Sequence, residues 1–209
     1  MEITIILAES TELIYRAMLK SRKRDKIDNH ITKIFAKKDF SLLEHANIHF
    51  DIQGISRACA NQLTRYRIGV SFTQQSMRYV KIDTTADWFV TPRKIEEKND
   101  GRYSDLEYFQ DEMEKIGDNY LNLLDAGFSK EDARAILPLA TKTELIFSCN
   151  MRALMHFLEQ RLAANAQEEI RTLAILIVKT IKAEHNSWYD YLQQIPLVKR
   201  IEENENKTD

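Results

Sequence analysis

Residues 47–54 alternate without interruption: Ile48, Phe50 and Ile52 fall on one side, His49, Asp51 and Gln53 on the other. Side chains of an extended chain point to opposite faces in turn, so this spacing predicts a strand with one face in a core and one outside it. Thr141 to Cys149 sets Leu145 and Phe147 against Glu144 and Ser148 in the same way, and Ile3, Ile5 and Ile6 mark a strand near the N-terminus. Elsewhere the period changes. Leu106, Phe109, Met113, Ile116, Tyr120 and Leu123 recur at steps of three and four, which lines up one side of a helix. Ile170, Leu173, Ala174, Ile177 and Ile181 do so again, and Leu13, Ile14, Ala17 and Met18 make a shorter stripe. Strands near 3–8, 47–54 and 142–149 mixed with these helices predict an α+β fold. We expect a single domain over 1–201 and a polar, frayed tail over 202–209.

Local signals bound the elements. Ser56 is placed to cap a helix running to Arg65, which carries Arg57, Gln62 and Arg65 out of the strand layer. Ser104-Asp105-Leu106-Glu107 is a capping-box pattern, and Gly127 is suited to end the helix after it. Ser129 opens a short helix that Pro138 limits. Asn150 caps a helix to about residue 164. Residues 80–103 contain Pro92, Asn99, Asp100 and Gly101 without a clean period, and read as a strand remnant and a long loop.

Composition excludes several classes. With 44% hydrophobic and 30% charged residues, a chain of 209 can bury an ordinary core. No apolar run reaches the roughly 18 residues a membrane span needs. Met1-Glu2-Ile3-Thr4 has no basic region ahead of its apolar residues, unlike a signal peptide. Cys59 and Cys149 are too far apart for a metal motif or a disulfide framework, and predict reduced thiols in a cytoplasmic protein. A net charge of −2 argues against wholesale nucleic-acid binding. The basic run from Lys20 to Lys26 reads as a helix C-terminus, where cations are favoured.

The densest chemistry lies in Arg65-Tyr66-Arg67-Ile68-Gly69-Val70-Ser71-Phe72-Thr73-Gln74-Gln75-Ser76-Met77-Arg78-Tyr79. Three arginines, two serines, a threonine and two glutamines share this stretch with no acid. Guanidinium groups offer a planar fork of donors that suits phosphate and carboxylate oxygens, and hydroxyls extend it. The segment predicts a site for an anionic ligand.

The same segment resembles the signature of the flavin-dependent thymidylate synthases: Arg-His-Arg, seven residues, Ser, any residue, Arg, Tyr. Arg65-Tyr66-Arg67 is similar to its start and Ser76-Met77-Arg78-Tyr79 to its end. The resemblance continues through Glu44-His45 before the strand at 47, Ala133-Arg134-Ala135-Ile136-Leu137-Pro138, the stretch from Asn150-Met151-Arg152 through Phe157 to Arg161, and Ala166-Gln167-Glu168-Glu169-Ile170. Order and spacing agree from about residue 41 to 170. The resemblance implies a mixed or antiparallel sheet with a helical bundle, in a homotetramer whose sites are shared between subunits. It implies an enzyme that methylates dUMP to dTMP with methylenetetrahydrofolate, FAD and NADPH, and without a cysteine nucleophile.

Residue by residue, the resemblance implies that Ser76, Arg78 and Arg134 hold the nucleotide phosphate. Gln62, Arg65, Gln74 and Gln75 further line the nucleotide site. Arg161 and Arg65 orient and polarise the uracil as the catalytic pair. His45, Asn47, Arg65, Tyr66, Arg67, Gln74, Asn150, Arg152, His156 and Asn165 match positions near FAD. No metal is implied. At about 100° per residue, Arg152 and His156 share one face of their helix and Asn150 and Arg161 nearly the opposite one, which suits either a helix at a subunit interface or one with a solvated face.

Three departures bear on the flavin more than on dUMP. Tyr66 stands where the family usually has His, and a phenol cannot become a cation near neutral pH. Eight residues instead of seven separate Arg67 from Ser76, an insertion that Gly69 is suited to absorb. Asn165 stands where histidine is common. Two alternatives stay open: the same chemistry on another uracil nucleotide such as UMP, or a non-catalytic nucleotide-binding protein without flavin redox.

Overall fold

A computed structural model describes residues 1–96 and 105–205, the stretch 202–205 by its backbone alone. Ser104 of the capping-box pattern, the end of the expected 80–103 loop and the tail beyond 205 lie outside the described residues. Along the chain run β1 (Glu2–Ala8), α1 (Glu12–Arg22), α2 (His30–Lys37), a 3-10 helix at Phe40–His45, β2 (Asn47–Ser56), α3 (Arg57–Leu63), β3 (Val70–Gln74), α4 (Arg93–Glu96), α5 (Asp105–Asp125), α6 (Lys130–Ala133), a 3-10 turn at Arg134–Ile136, β4 (Lys142–Asn150), α7 (Met151–Arg161), α8 (Glu168–Glu184), α9 (Asn186–Leu192) and α10 (Pro196–Glu205).

The strands form one sheet in the order β1-β2-β4-β3. Asn150 N–H donates to Gly69 O and Gln75 N–H to Glu144 O, so β3 and β4 run in opposite directions. Met151 N–H to Ala46 O and Arg57 N–H to Thr141 O make β2 and β4 antiparallel as well. The α+β fold is thus as expected. Among the described residues no helix is long and apolar enough to cross a membrane.

The chain forms two compact units, one of residues 1–52, 64–73 and 146–209 and one of residues 53–63 and 74–145. In the first, Ile48, Phe50 and Ile52 are fully buried, as their alternation requires. Phe147 of β4 stacks on Phe72 at 5.1 Å and 8° and on Phe50 at 5.8 Å and 24°, with Phe157 edge-on at 6.0 Å. Such ring pairs add to the burial of their area. The stripe of α8 is buried along Ile170, Leu173, Ala174, Ile177 and Ile181. Trp188 of α9 is 1% exposed and donates its indole N–H to Glu9 O at 2.8 Å.

The second unit packs Met77, Ile82, Trp88, Met113, Tyr120 and Ala133 together. The Tyr120 hydroxyl accepts a bond from Ile82 N–H, so the polar tip of a buried ring is satisfied. Gly127, at φ +89°, closes α5: its N–H bonds Leu124 O and the Phe128 N–H bonds Leu123 O. The Ser129 hydroxyl accepts from Asp132 N–H and starts α6, as expected.

Several elements differ from expectation. Ser56 does cap α3, accepting from Cys59 N–H, but the helix stops at Leu63 and leaves Arg65 beyond it. The 80–103 segment holds an isolated bridge from Phe89 to Thr141 and the short α4. β3, α2, α9 and α10 were not anticipated. α2 lies between left-handed residues Asn29 and Lys38 and buries Ile34; its apolar stripe, Ile31, Ile34 and Phe35, spans little more than one turn.

The aromatic stack centred on Phe147 predicts a large cost for its removal. Phe147→Ala should lower the unfolding free energy by about 3–5 kcal/mol, read from urea denaturation. A loss near zero would mean that the ring does not organise this core.

Candidate active site

The donor-rich segment divides at Thr73 and Gln74. Its first part lies against α7. Gly69 sits at φ +69°, and a Cβ there would meet Asn150 Nδ2 at 2.6 Å and Oδ1 at 2.9 Å. Only glycine fits both the backbone angle and the approach. The Asn150 side chain is held in turn: its Oδ1 accepts from Ala153 N–H at 2.9 Å and caps α7.

A cavity of about 530 Å³ opens beside this contact. Phe35, Phe40 and Leu43 supply its apolar wall, and Asn150, Arg152 and His156 supply polar groups. Arg152 donates to Glu44 at 2.6 Å. Arg152 and His156 therefore do share a face. Asn150 joins them through its capping side chain instead of lying on the opposite side, which corrects the helical-wheel expectation.

Tyr66 packs on the same helix. Its ring meets His156 edge-on at 5.8 Å and Phe157 at 5.4 Å, and the Arg161 guanidinium lies over it at 5.5 Å. Arg161 Nε is buried and has no hydrogen-bond partner among the described residues. A buried donor without a partner costs free energy and asks for an explanation.

Other expected residues of this unit are spread out. His45, Arg65, Arg67 and Asn165 are exposed. Asn47 gives both its backbone N–H and its amide to Glu9, at 2.9 and 3.0 Å. Cys149 is 2% exposed, and burial pushes its thiol well above the usual range, so it stays protonated and unreactive.

The second part of the segment lies in the other unit with Gln62. Gln74 donates to the Thr143 hydroxyl at 3.2 Å, and Gln75 to Glu144 at 3.4 Å. The Ser76 hydroxyl accepts from Arg78 N–H. Glu131 links Arg78, at 2.9 Å, to Arg134, at 3.8 Å. All three side chains are about half exposed or a little less, so these pairs contribute little to stability. Arg57 lies close enough to Arg134 to feel its charge: burial first, then Arg134, hold its guanidinium below the usual value. The sequence places Arg57 on a helix leaving the strand layer without giving it a part in the site, and it does not single out Glu131. Arg57 reads as an ordinary first helical residue after Ser56, and Glu131 as a first-turn acid.

The fold has a solved counterpart. Thymidylate synthase X from Helicobacter pylori, crystallised with FAD and dUMP, aligns over 92% of this chain and 98% of its own, with a TM-score of 0.73 and 22% identity. Over residues 5–185 the sequence matches the family described as thymidylate synthase complementing protein. It is 41% identical over 150 residues to the flavin-dependent thymidylate synthase of Thermococcus onnurineus, covering 71% of this chain and 59% of that protein. It is 36% identical over 181 residues to that of Geobacter sulfurreducens, covering 84% and 76%. The chain belongs to the thymidylate synthase complementing protein family.

The contact between Gly69 and Asn150 can be tested alone. Gly69→Ala should cost about 1–3 kcal/mol in thermal or chemical denaturation, from the positive φ and the displaced cap together. Unchanged stability would show that the cap and the segment are independent.

Proposed function

We propose that this protein is an enzyme that methylates dUMP to dTMP, taking the carbon from methylenetetrahydrofolate and using FAD reduced by NADPH. The observation that carries the reading is Arg161: a buried Nε without an acceptor among the described residues, on a guanidinium held over an aromatic ring. A uracil carbonyl is an acceptor of the right kind, and a charge-assisted bond to it would grow stronger as negative charge develops on the ring. Arg65 assists from its exposed position.

Ser76, Arg78 and Arg134 bind the phosphate, with Gln62, Gln74 and Gln75 around the nucleotide. Glu131 already draws Arg78 and Arg134 together. A phosphate, with three acceptor oxygens and nearly two charges, would displace that single carboxylate.

The residues around the 530 Å³ cavity fit part of a flavin dinucleotide: two phenylalanine rings for a planar system and Asn150, Arg152 and His156 for polar edges or phosphates. His45, Asn47, Arg67, Tyr66 and Asn165 are assigned to the same cofactor. Bound FAD would supply the reducing equivalents. The protonated, buried Cys149 is consistent with a reaction that uses no thiolate. A cytoplasmic homotetramer with shared sites is part of the proposal, and exposed His45, Arg65 and Arg67 are available to it.

Arg161→Ala should lower dTMP formation by about 30- to 1000-fold, equivalent to roughly 2–4 kcal/mol, with flavin content and assembly retained. A rate near that of the native protein would overturn the assignment of Arg161.

A further inference from the structure

We infer that Tyr66 is a positioning residue that sets Arg161 without consuming its buried donor. The inference rests on the reading that Arg161 meets the nucleotide. A guanidinium is usually held by carboxylates or carbonyls, each of which takes up an N–H. An aromatic face attracts the cation through its quadrupole and leaves N–H donors uncommitted. Arg161 shows this combination: its charge lies 5.5 Å from the Tyr66 ring centre, and its buried Nε has no partner among the described residues.

The ring itself is fixed. His156 and Phe157 meet it edge-on, at 73° and 75°, the arrangement that aromatic pairs favour. All three neighbours belong to α7, so Tyr66 sits across the last turns of one helix and couples the donor-rich segment to Arg161. The part played by Tyr66 here is the ring face, and the hydroxyl takes no part. This gives a physical role to the residue that departs from the family's usual histidine. A neutral ring, unlike an imidazolium, never repels the guanidinium over it.

The test is a double-mutant cycle on the flavin-loaded, full-length protein, with dUMP binding read by calorimetry. Tyr66→Phe should weaken dUMP binding less than Tyr66→Leu does. Tyr66→Leu should weaken it by about 3- to 30-fold. In the Arg161→Ala background, Tyr66→Leu should add no further loss. Should Tyr66→Leu fail to fold, Tyr66→Met replaces the ring with a flexible side chain and makes the same comparison. Equal losses in both backgrounds, or a Tyr66→Phe defect as large as that of Tyr66→Leu, would overturn the inference. Unchanged dUMP binding in Arg161→Ala would instead remove the nucleotide role of Arg161. The contact would then be judged by thermal unfolding of the same four proteins without nucleotide. Losses that fall short of additive would uphold the coupling of Tyr66 to Arg161, and additive losses would refute it.

Discussion

The close approach of Gly69 to Asn150 is the constraint on which the first unit turns. Asn150 ends β4, caps α7 and fills the space where any other residue at position 69 would need a Cβ. The backbone bond from Asn150 N–H to Gly69 O locks the same two residues from the other side. Through this junction one strand end, one helix start and the donor-rich segment share a single register. The face of α7 that carries Arg152 and His156, and the turn that carries Arg161, follow from where that helix begins.

Two ways of holding an arginine recur. Arg78, Arg134 and Arg152 are drawn to carboxylates at the surface, where water shares the work and the net stabilisation is small. Arg161 is held by a ring, with a buried donor left over. The first arrangement orders the cations at the surface without burying them. The second leaves Arg161 Nε unpaired among the described residues, a cost that the proposed contact to the nucleotide would offset.

What the sequence made legible follows from how strongly each element is patterned. β2 and β4 alternate over eight or more residues and bury the expected faces. α5 and α8 carry stripes long enough to identify. β3 also alternates, Val70 and Phe72 against Ser71 and Thr73, but its polar residues look like ligand donors and hide a five-residue strand. α9 buries Trp188, Tyr189, Tyr191 and Leu192 almost consecutively, so no three-and-four spacing shows. At the candidate site, the shared face of Arg152 and His156 was readable from helix geometry. The place of Asn150 was not, because a capping side chain turns back on its own helix and does not follow the wheel. The pairing of Arg78 and Arg134 through Glu131 depends on a turn that brings distant positions together.

In the proposed function one protein binds both a uracil nucleotide and a flavin for a common reaction. The direct measurement is the visible absorption spectrum of the purified protein, supplemented with FAD if colourless, before and after dUMP is added. A flavin band that shifts on adding dUMP is the expected result. A protein that binds dUMP yet neither retains nor takes up flavin would contradict it, and would mark Tyr66 and Asn165 as signs of a nucleotide-binding protein without redox chemistry.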